Sequence, residues 1–133
     1  MISAPYSNLD SAAAIALVLK KSVQIQTKTK EWPYIRDISR LLYELRGKGF
    51  RFRDLGLRSI PGGYYSEDVE TFVGQLLSMG YATQRSPIRL EKKGVELCED
   101  ILGAEAQAKS EELERLEKAV GELLSASAAA AIS

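Results

Sequence analysis

Hydrophobic residues near the start of the chain are spaced as in a buried helix and then as in a strand. Apolar residues run from Leu9 to Leu19, interrupted only by Asp10 and Ser11. Ser7 and Asp10 have the spacing of a helix-capping pair. We therefore expect a first helix over residues 8–21, buried on more than one side. Residues 23–27 alternate apolar with polar side chains, and this period of two predicts a short, half-buried strand.

The next part of the chain has the three-to-four-residue period of an amphipathic helix. Pro33 suits the first turn of a helix, and the apolar positions between Ile35 and Leu45 form one stripe, so a second helix should end near Gly47. A shorter helical turn is expected at residues 53–57. Residues 61–63, which read Pro-Gly-Gly, then predict a loop.

A third helix and a small hairpin are predicted after this loop. Ser66 can cap a helix whose apolar stripe runs over Val69–Leu77 and which ends at Gly80. Residues 81–90 contain two short extended runs around a Pro-containing turn, which is the pattern of a β-hairpin. Gly94 then opens one long helix.

Beyond residue 100 the hydrophobic residues step alternately by four and three, as in a heptad repeat. The seam consists of Leu102, Ala106, Lys109, Leu113, Leu116, Val120 and Leu123. Three heptads do not make a stable free helix, so the seam must pack on another chain or fold back on its own domain. Of these alternatives we favour a partner chain, which predicts a homodimer with the six apolar seam residues at its interface. The alanine-rich residues 125–133 are expected to fray.

The stretch SEDVETFVGQLLSMGYATQRSPIRLEKKGVELCEDIL resembles the third-helix, wing and post-wing segment of MarR-like and PadR-like transcription regulators. In those families a leucine-rich helix ends in a Gly-Tyr or Gly-Leu turn, a wing follows, and the phrase L-T-x-K-G starts the next helix. Here the phrase is Leu90–Gly94, with Glu91 in place of the threonine. The layout is also similar to that of small archaeal winged-helix DNA-binding proteins with a C-terminal coiled coil.

The resemblance implies a winged helix-turn-helix fold, mainly α with a small β-hairpin (α+β). Together with the residue patterns above, it divides the chain into four parts: an N-terminal helix and strand over 1–33, which lie outside the family pattern, the winged-helix domain over 34–100, a coiled-coil helix over 101–124 and a tail over 125–133. The implied function is a dimeric DNA-binding protein, either a transcription regulator or a nucleoid-type protein. Winged helices also serve as protein-interaction modules without DNA binding, and this alternative remains open.

If the chain binds double-stranded DNA as these families do, the helix after Ser66 would enter the major groove and the hairpin would touch an adjacent groove. The expected contacts are Lys48, Arg51, Arg53 and Arg58 before the helix, Ser66, Thr71 and Gln75 on it, and Arg85, Arg89 and Lys92 around the wing. The helix itself contains no lysine or arginine, and Glu67, Asp68 and Glu70 would approach phosphates. An acidic helix suits the alternative function, in which it binds a basic protein.

Several aromatic residues allow two interpretations. Phe50 and Phe52 alternate with arginines, and they could stack nucleic-acid bases or lie buried beneath an extended segment with the arginines outside. Tyr64 and Tyr65 could line a ligand pocket or pack on the domain. Cys98 lies on the apolar side of its predicted helix, where core packing is the default and a redox-sensing thiol is the alternative.

Composition and charge narrow the possible functions. The chain carries 18 basic and 18 acidic residues, but residues 1–100 have a net charge of +3 (15 basic, 12 acidic) and residues 101–133 of −3 (3 basic, 6 acidic). There is no histidine and a single cysteine, which excludes histidine triads, thiolate metal sites and intramolecular disulfides. We expect no enzymatic activity, cofactor or metal. The longest apolar run has eight residues, so we expect a cytoplasmic protein outside the membrane.

Overall fold

A computed structural model describes residues 8–25 and 31–132. The described part is mainly helical with three small two-stranded sheets and a long C-terminal helix, which confirms the expected α+β class. Its elements are β1 (Asn8–Asp10), α1 (Ser11–Gln24), α2 (Ile35–Gly47), β2 (Arg51–Arg53), β3 (Arg58–Ile60), β4 (Gly63–Tyr65), α3 (Glu67–Ser78), β5 (Ala82–Arg85), β6 (Ile88–Leu90) and α4 (Lys92–Ile132).

Helix α1 forms the centre of the core. Seven consecutive residues, Ala13–Leu19, are buried, as the continuous apolar sequence predicts. The helix begins at Ser11 because residues 8–10 form β1, which pairs in parallel with β2. The predicted capping pair is wrong, since Asp10 is itself the N-cap and its side chain makes no capping bond; Ser7 lies outside the described residues.

The strand predicted at residues 23–27 is also wrong where the structure describes it. Val23 and Gln24 belong to the last turn of α1, while residues 26–27 lie outside the described part. The carbonyl of Ser22 explains this ending, because it accepts hydrogen bonds from the Ile25 N–H at 3.2 Å and the Trp32 indole N–H at 2.8 Å. Satisfying a terminal carbonyl in this way stabilises the last helical turn.

Helix α2 ends at Gly47 as predicted, but it begins at Ile35 after the N-cap Tyr34, so Pro33 precedes its first turn. The segment after the helix also differs from the prediction. Asp54, with φ +59°, terminates β2, and no helical turn forms at residues 53–57. Instead, β3 and β4 form an antiparallel hairpin around the expected Pro-Gly turn. The prediction of a helix at residues 53–57 is wrong because Leu55 is buried as part of an irregular segment, where its carbonyl accepts a hydrogen bond from Arg46 at 2.8 Å.

Helix α3 and the second hairpin follow the predictions closely. Ser66 caps α3 by accepting a hydrogen bond from the N–H of Val69, and β5 and β6 form the expected antiparallel pair. Gly94, in the first turn of α4, lies against this hairpin. A Cβ atom at this position would overlap the carbonyl oxygen of Tyr81 and contact Leu90, so the close approach requires glycine.

Helix α4 turns back on itself at Lys109, whose φ of −141° and ψ of 49° are not helical. Glu99 and Glu117 would be about 27 Å apart along a straight helix. Yet they form ion pairs with the adjacent residues Lys20 and Lys21, at 3.4 Å and 3.1 Å. Residues 92–108 and residues 110–124 therefore both lie against α1.

The fold-back places part of the heptad seam in the core of the same chain. Leu116 and Val120 are fully buried there, whereas the other apolar seam residues, Leu102, Ala106, Leu113 and Leu123, are half-buried. Leu116 and Val120 thus pack on their own domain, which is the second of the two alternatives for the seam. A dimer that uses these two residues as its interface requires them to leave this core. Helix α4 also continues through the alanine-rich stretch to Ile132.

Because α1 and both halves of α4 share one core, the expected division at residue 100 falls inside a continuous packing unit. Within the described part of the chain, no helix is both long and apolar enough to cross a membrane.

Candidate nucleic-acid interface

Four basic residues surround the turn between α2 and β2. The turn is tight because Gly49 has φ +105° and the N–H of Phe50 reaches back to the carbonyl of Leu45 at 3.2 Å. Beside it lies an open cleft of about 500 Å³ lined by residues 46–52, which include Arg46, Lys48 and Arg51 and no carboxylate. Arg53 is the last residue of β2 and lies next to this lining segment in sequence. We call Arg46, Lys48, Arg51 and Arg53 the basic cluster.

The strand alternation of β2 separates its aromatic and basic side chains. Phe52 is buried, while Arg51 and Arg53 are exposed on the opposite face. Phe50 is half-buried and packs against the core. Of the two interpretations of this segment, buried aromatics beneath outward arginines is the one that the structure supports, and Phe52 is not accessible for base stacking.

The charge of the cluster is not neutralised evenly. Among the described residues, Lys48 and Arg53 form no ion pair, and both side chains are exposed. Arg46 donates a hydrogen bond to the carbonyl of Leu55, which fixes its guanidinium beside the cleft. Exposed lysine and arginine side chains of this kind can bind phosphate oxygens.

The acidic first turn of α3 is largely occupied by contacts within the chain. Glu67 forms an ion pair with Arg58 at 3.5 Å, and Asp68 accepts a hydrogen bond from the N–H of Gly56 at 2.7 Å. Glu70 pairs with Arg85 of β5. Each carboxylate that would repel a phosphate therefore has its own donor, although two of the predicted DNA contacts, Arg58 and Arg85, are engaged in return.

Glu70 also joins α3 to the β3–β4 hairpin. The hydroxyl of Tyr65 donates a hydrogen bond to Glu70, and this bond raises the pKa of Tyr65 above its usual range. Tyr64 stacks on Tyr43 of α2 with ring centroids 4.1 Å apart, and Arg58 lies over the ring of Tyr65. These tyrosines pack on the domain, which is the second of the two interpretations offered for them.

The remaining predicted contacts on α3 divide into exposed and buried residues. Thr71 and Gln75 are exposed on its outer face. Ser66 is buried, so the prediction that it faces outward is wrong. Its hydroxyl caps α3 and its N–H donates to the hydroxyl of Ser39 at 3.1 Å, and the helix start thus places it inside the domain.

The basic residues on and next to the β5–β6 hairpin also differ in their exposure. Arg89 is half-buried and donates a hydrogen bond to the carbonyl of Trp32 at 3.0 Å, which ties the hairpin to the segment before α2. Lys92 is exposed at the start of α4. Lys92 is thus better placed than Arg89 to contact a ligand.

The chain was compared with models of protein families, with curated proteins and with solved structures. None of them matches. Function is therefore inferred from the chemistry of this surface. The sequence-based prediction missed one member of the surface, Arg46, although residues 46–53 carry four basic side chains and no acid, which is a local signal.

In the described part of the chain, no group of three or more potential metal ligands lies close enough to hold a metal ion. Cys98 is fully buried, and this burial raises its pKa to about 11. The thiolate, which is the reactive form, is therefore rare at neutral pH.

We expect the folded protein to protect Cys98 from thiol reagents. At pH 8, raising a thiol pKa from 9.0 to about 11 lowers the thiolate fraction about 100-fold, and burial slows access further. Reaction with a chromogenic disulfide should therefore be at least about 100-fold slower in buffer than in denaturant. Cys98 is the only cysteine, so the whole signal reports this residue. Equal rates in buffer and denaturant would contradict the buried position.

Proposed function

We propose that this protein binds double-stranded DNA mainly through the phosphate backbone, as a transcription regulator or nucleoid-type protein. The basic cluster beside an open cleft without carboxylates supports this proposal most directly. Lys48, in the turn after α2, and Arg53, at the end of β2, present exposed charges. Binding of this kind releases counterions from DNA, so the affinity falls steeply with salt and depends only weakly on sequence.

Helix α3 has a secondary part in this proposal. Thr71 and Gln75 are neutral, exposed and able to touch base edges. Of the acids in the preceding turn, Glu67 and Glu70 form ion pairs within the chain, and Asp68 accepts a hydrogen bond from the N–H of Gly56. The order of α2, α3, the β5–β6 hairpin and α4 resembles that of a winged helix and is consistent with this proposal. However, the β3–β4 hairpin stands where the second helix of a helix-turn-helix would be. This difference favours phosphate contacts over sequence reading.

The intrachain pairing of the α3 acids disfavours the alternative function, in which α3 binds a basic protein. A basic partner would have to displace Arg58 from Glu67 and Arg85 from Glu70. Exchanging one exposed ion pair for another yields little free energy, about 0–1 kcal/mol.

The test is a fluorescence-anisotropy titration of random-sequence duplex DNA at several salt concentrations. We expect Lys48→Ala with Arg53→Ala to weaken binding and to reduce the slope of log K against log salt by about 1.8, since each lost phosphate contact contributes about 0.9. The control is Arg115→Ala with Lys118→Ala, which removes the same charge from exposed positions on α4.

The two double variants separate a local site from a general charge effect. The control should bind like the unmodified protein at each salt concentration. An equal loss in both variants would show that net charge alone determines binding. If the unmodified protein fails to bind at low salt, where non-specific affinity is greatest, DNA binding is excluded and the protein-interaction function becomes the better proposal.

A further inference from the structure

The reversal of α4 at Lys109 lies in a sequence with strong helix-forming tendency. Between Gly103 and Gly121 there is no glycine or proline, and most residues are alanine, glutamate, leucine, lysine or arginine. Sharp changes of helix direction are usually caused by proline, glycine pairs or inserted groups. The residues around Lys109 therefore suit a continuous helix as well as a turn.

The apolar seam of α4 continues through the turn without a change of phase. Its positions step from Ala106 to Lys109 to Leu113 by three and four, as they do before and after. When two separate helices meet at a turn, the apolar positions of one do not need to continue the spacing of the other. A single straight helix does, because the stripe then lies along one side.

The same region also supports a helix start at residue 110. Ser110 is followed by Glu111 and Glu112, and acidic side chains in a first helical turn are stabilised by the helix dipole. The segment thus suits two conformations: a turned form, in which residues 110–124 cover α1 of the same chain, and a straight form, in which they extend away from it.

From these observations we propose that the chain forms a domain-swapped homodimer in which α4 is straight at Lys109. Residues 110–124 of each chain then cover α1 of the other, and Leu116, Val120 and Leu124 fill the positions that they occupy within one chain. Exchange of identical elements preserves these core contacts, so the two forms differ mainly at the hinge and at the new contact between the chains. The exposed α1 surface of one straightened chain selects a second copy as its partner.

The ion pair between Lys21 and Glu117 gives a direct test, since these residues join α1 to the second half of α4. Two chains are prepared in a Cys98→Ala background, one with Lys21→Cys and the other with Glu117→Cys. They are unfolded and refolded together, at low and high concentration, and treated with a short bis-maleimide. A swapped dimer brings the two cysteines together, so a covalent dimer should form in the mixture and increase with concentration.

Cross-linking within a chain is measured with a single chain that carries both cysteines. If this chain cross-links only to itself and the mixture yields no covalent dimer at any concentration, the swap is wrong. A dimer detected by light scattering whose cross-links stay within each chain overturns it as well. Each single-cysteine chain refolded alone shows the background from random encounters.

Variants at Ser110 test the hinge itself. Ser110→Pro suits the first position of a helix but interrupts a continuous one, so it should lower the dimer association constant by about 100-fold or more per hinge. Ser110→Ala is the matched control and should leave dimerisation unchanged or slightly stronger, because alanine favours the straight helix. Both variants should remain folded by circular dichroism. Equal association constants for the two variants would contradict straightening at Lys109.

Discussion

Replacing Leu116 by alanine should lower the free energy of unfolding by about 2–5 kcal/mol. Leu116 is fully buried in the core beneath the second half of α4. Truncation removes three carbon atoms from the core and leaves a cavity that the rigid packing of α1 closes only in part. Urea denaturation followed by circular dichroism at 222 nm measures the change.

The neighbouring residue provides the control for this measurement. Arg115→Ala changes an exposed position on the same helical turn and should alter the free energy of unfolding by no more than about 0.5 kcal/mol. The comparison tests the docking of residues 110–124, because in an undocked segment both side chains would be exposed. Two equally small effects would contradict the fold described for α4.

Gly94→Ala should be destabilising by about 1–3 kcal/mol, although alanine is the better helix former. The new methyl group would overlap the carbonyl oxygen of Tyr81. That carbonyl has little freedom to move, because it accepts a hydrogen bond from the N–H of Glu91 at 2.9 Å and the N–H of Tyr81 is bonded to Leu76 at 2.8 Å. The expected result is a lower midpoint in urea with an unchanged slope.

Gly103→Ala, in the same helix, should have the opposite effect. A Cβ atom there would meet no other atom within 4 Å, so the substitution should stabilise the protein by up to about 1 kcal/mol through helix propensity alone. Opposite signs for the two substitutions would establish the close approach at Gly94. Stabilisation by both would mean that the β5–β6 hairpin does not pack on α4 as described.

The elements that the sequence predicted well have their causes within a few residues. Helix α2 has its apolar stripe, α3 has Ser66 as a cap, and the hairpin at residues 82–90 has a Pro-containing turn between extended runs. These are short-range signals. In the last turn of α1, by contrast, Val23 has the alternating pattern of a strand, but the bonds to the Ser22 carbonyl keep it helical.

The remaining errors come from contacts between distant parts of the chain. A seam with heptad spacing looks the same whether its partner is another chain or α1, so the position of Leu116 was not predictable from spacing. The β3–β4 hairpin has a signal in the sequence, since Pro61 and the glycines after it separate two short runs, although this signal alone predicts no more than a loop.

The candidate site shows the same division. That arginines face outward on β2 follows from strand alternation, and it was one of two alternatives considered. Glu70 and Arg85 are 15 residues apart, and their pairing depends on how the β5–β6 hairpin packs against α3. The burial of Ser66 follows from its role as a cap and could have been anticipated, because a capping hydroxyl is already committed to the helix backbone.

The central position of α1 has a consequence for protein synthesis. This helix is translated early, yet it is covered by α4, which is translated last among the described elements. While the ribosome completes the intervening elements, the apolar side chains of Ala13–Leu19 lack their final neighbours. Native packing of α1 therefore waits until α4 has emerged, and until then the nascent chain carries an exposed hydrophobic segment of the kind that promotes aggregation.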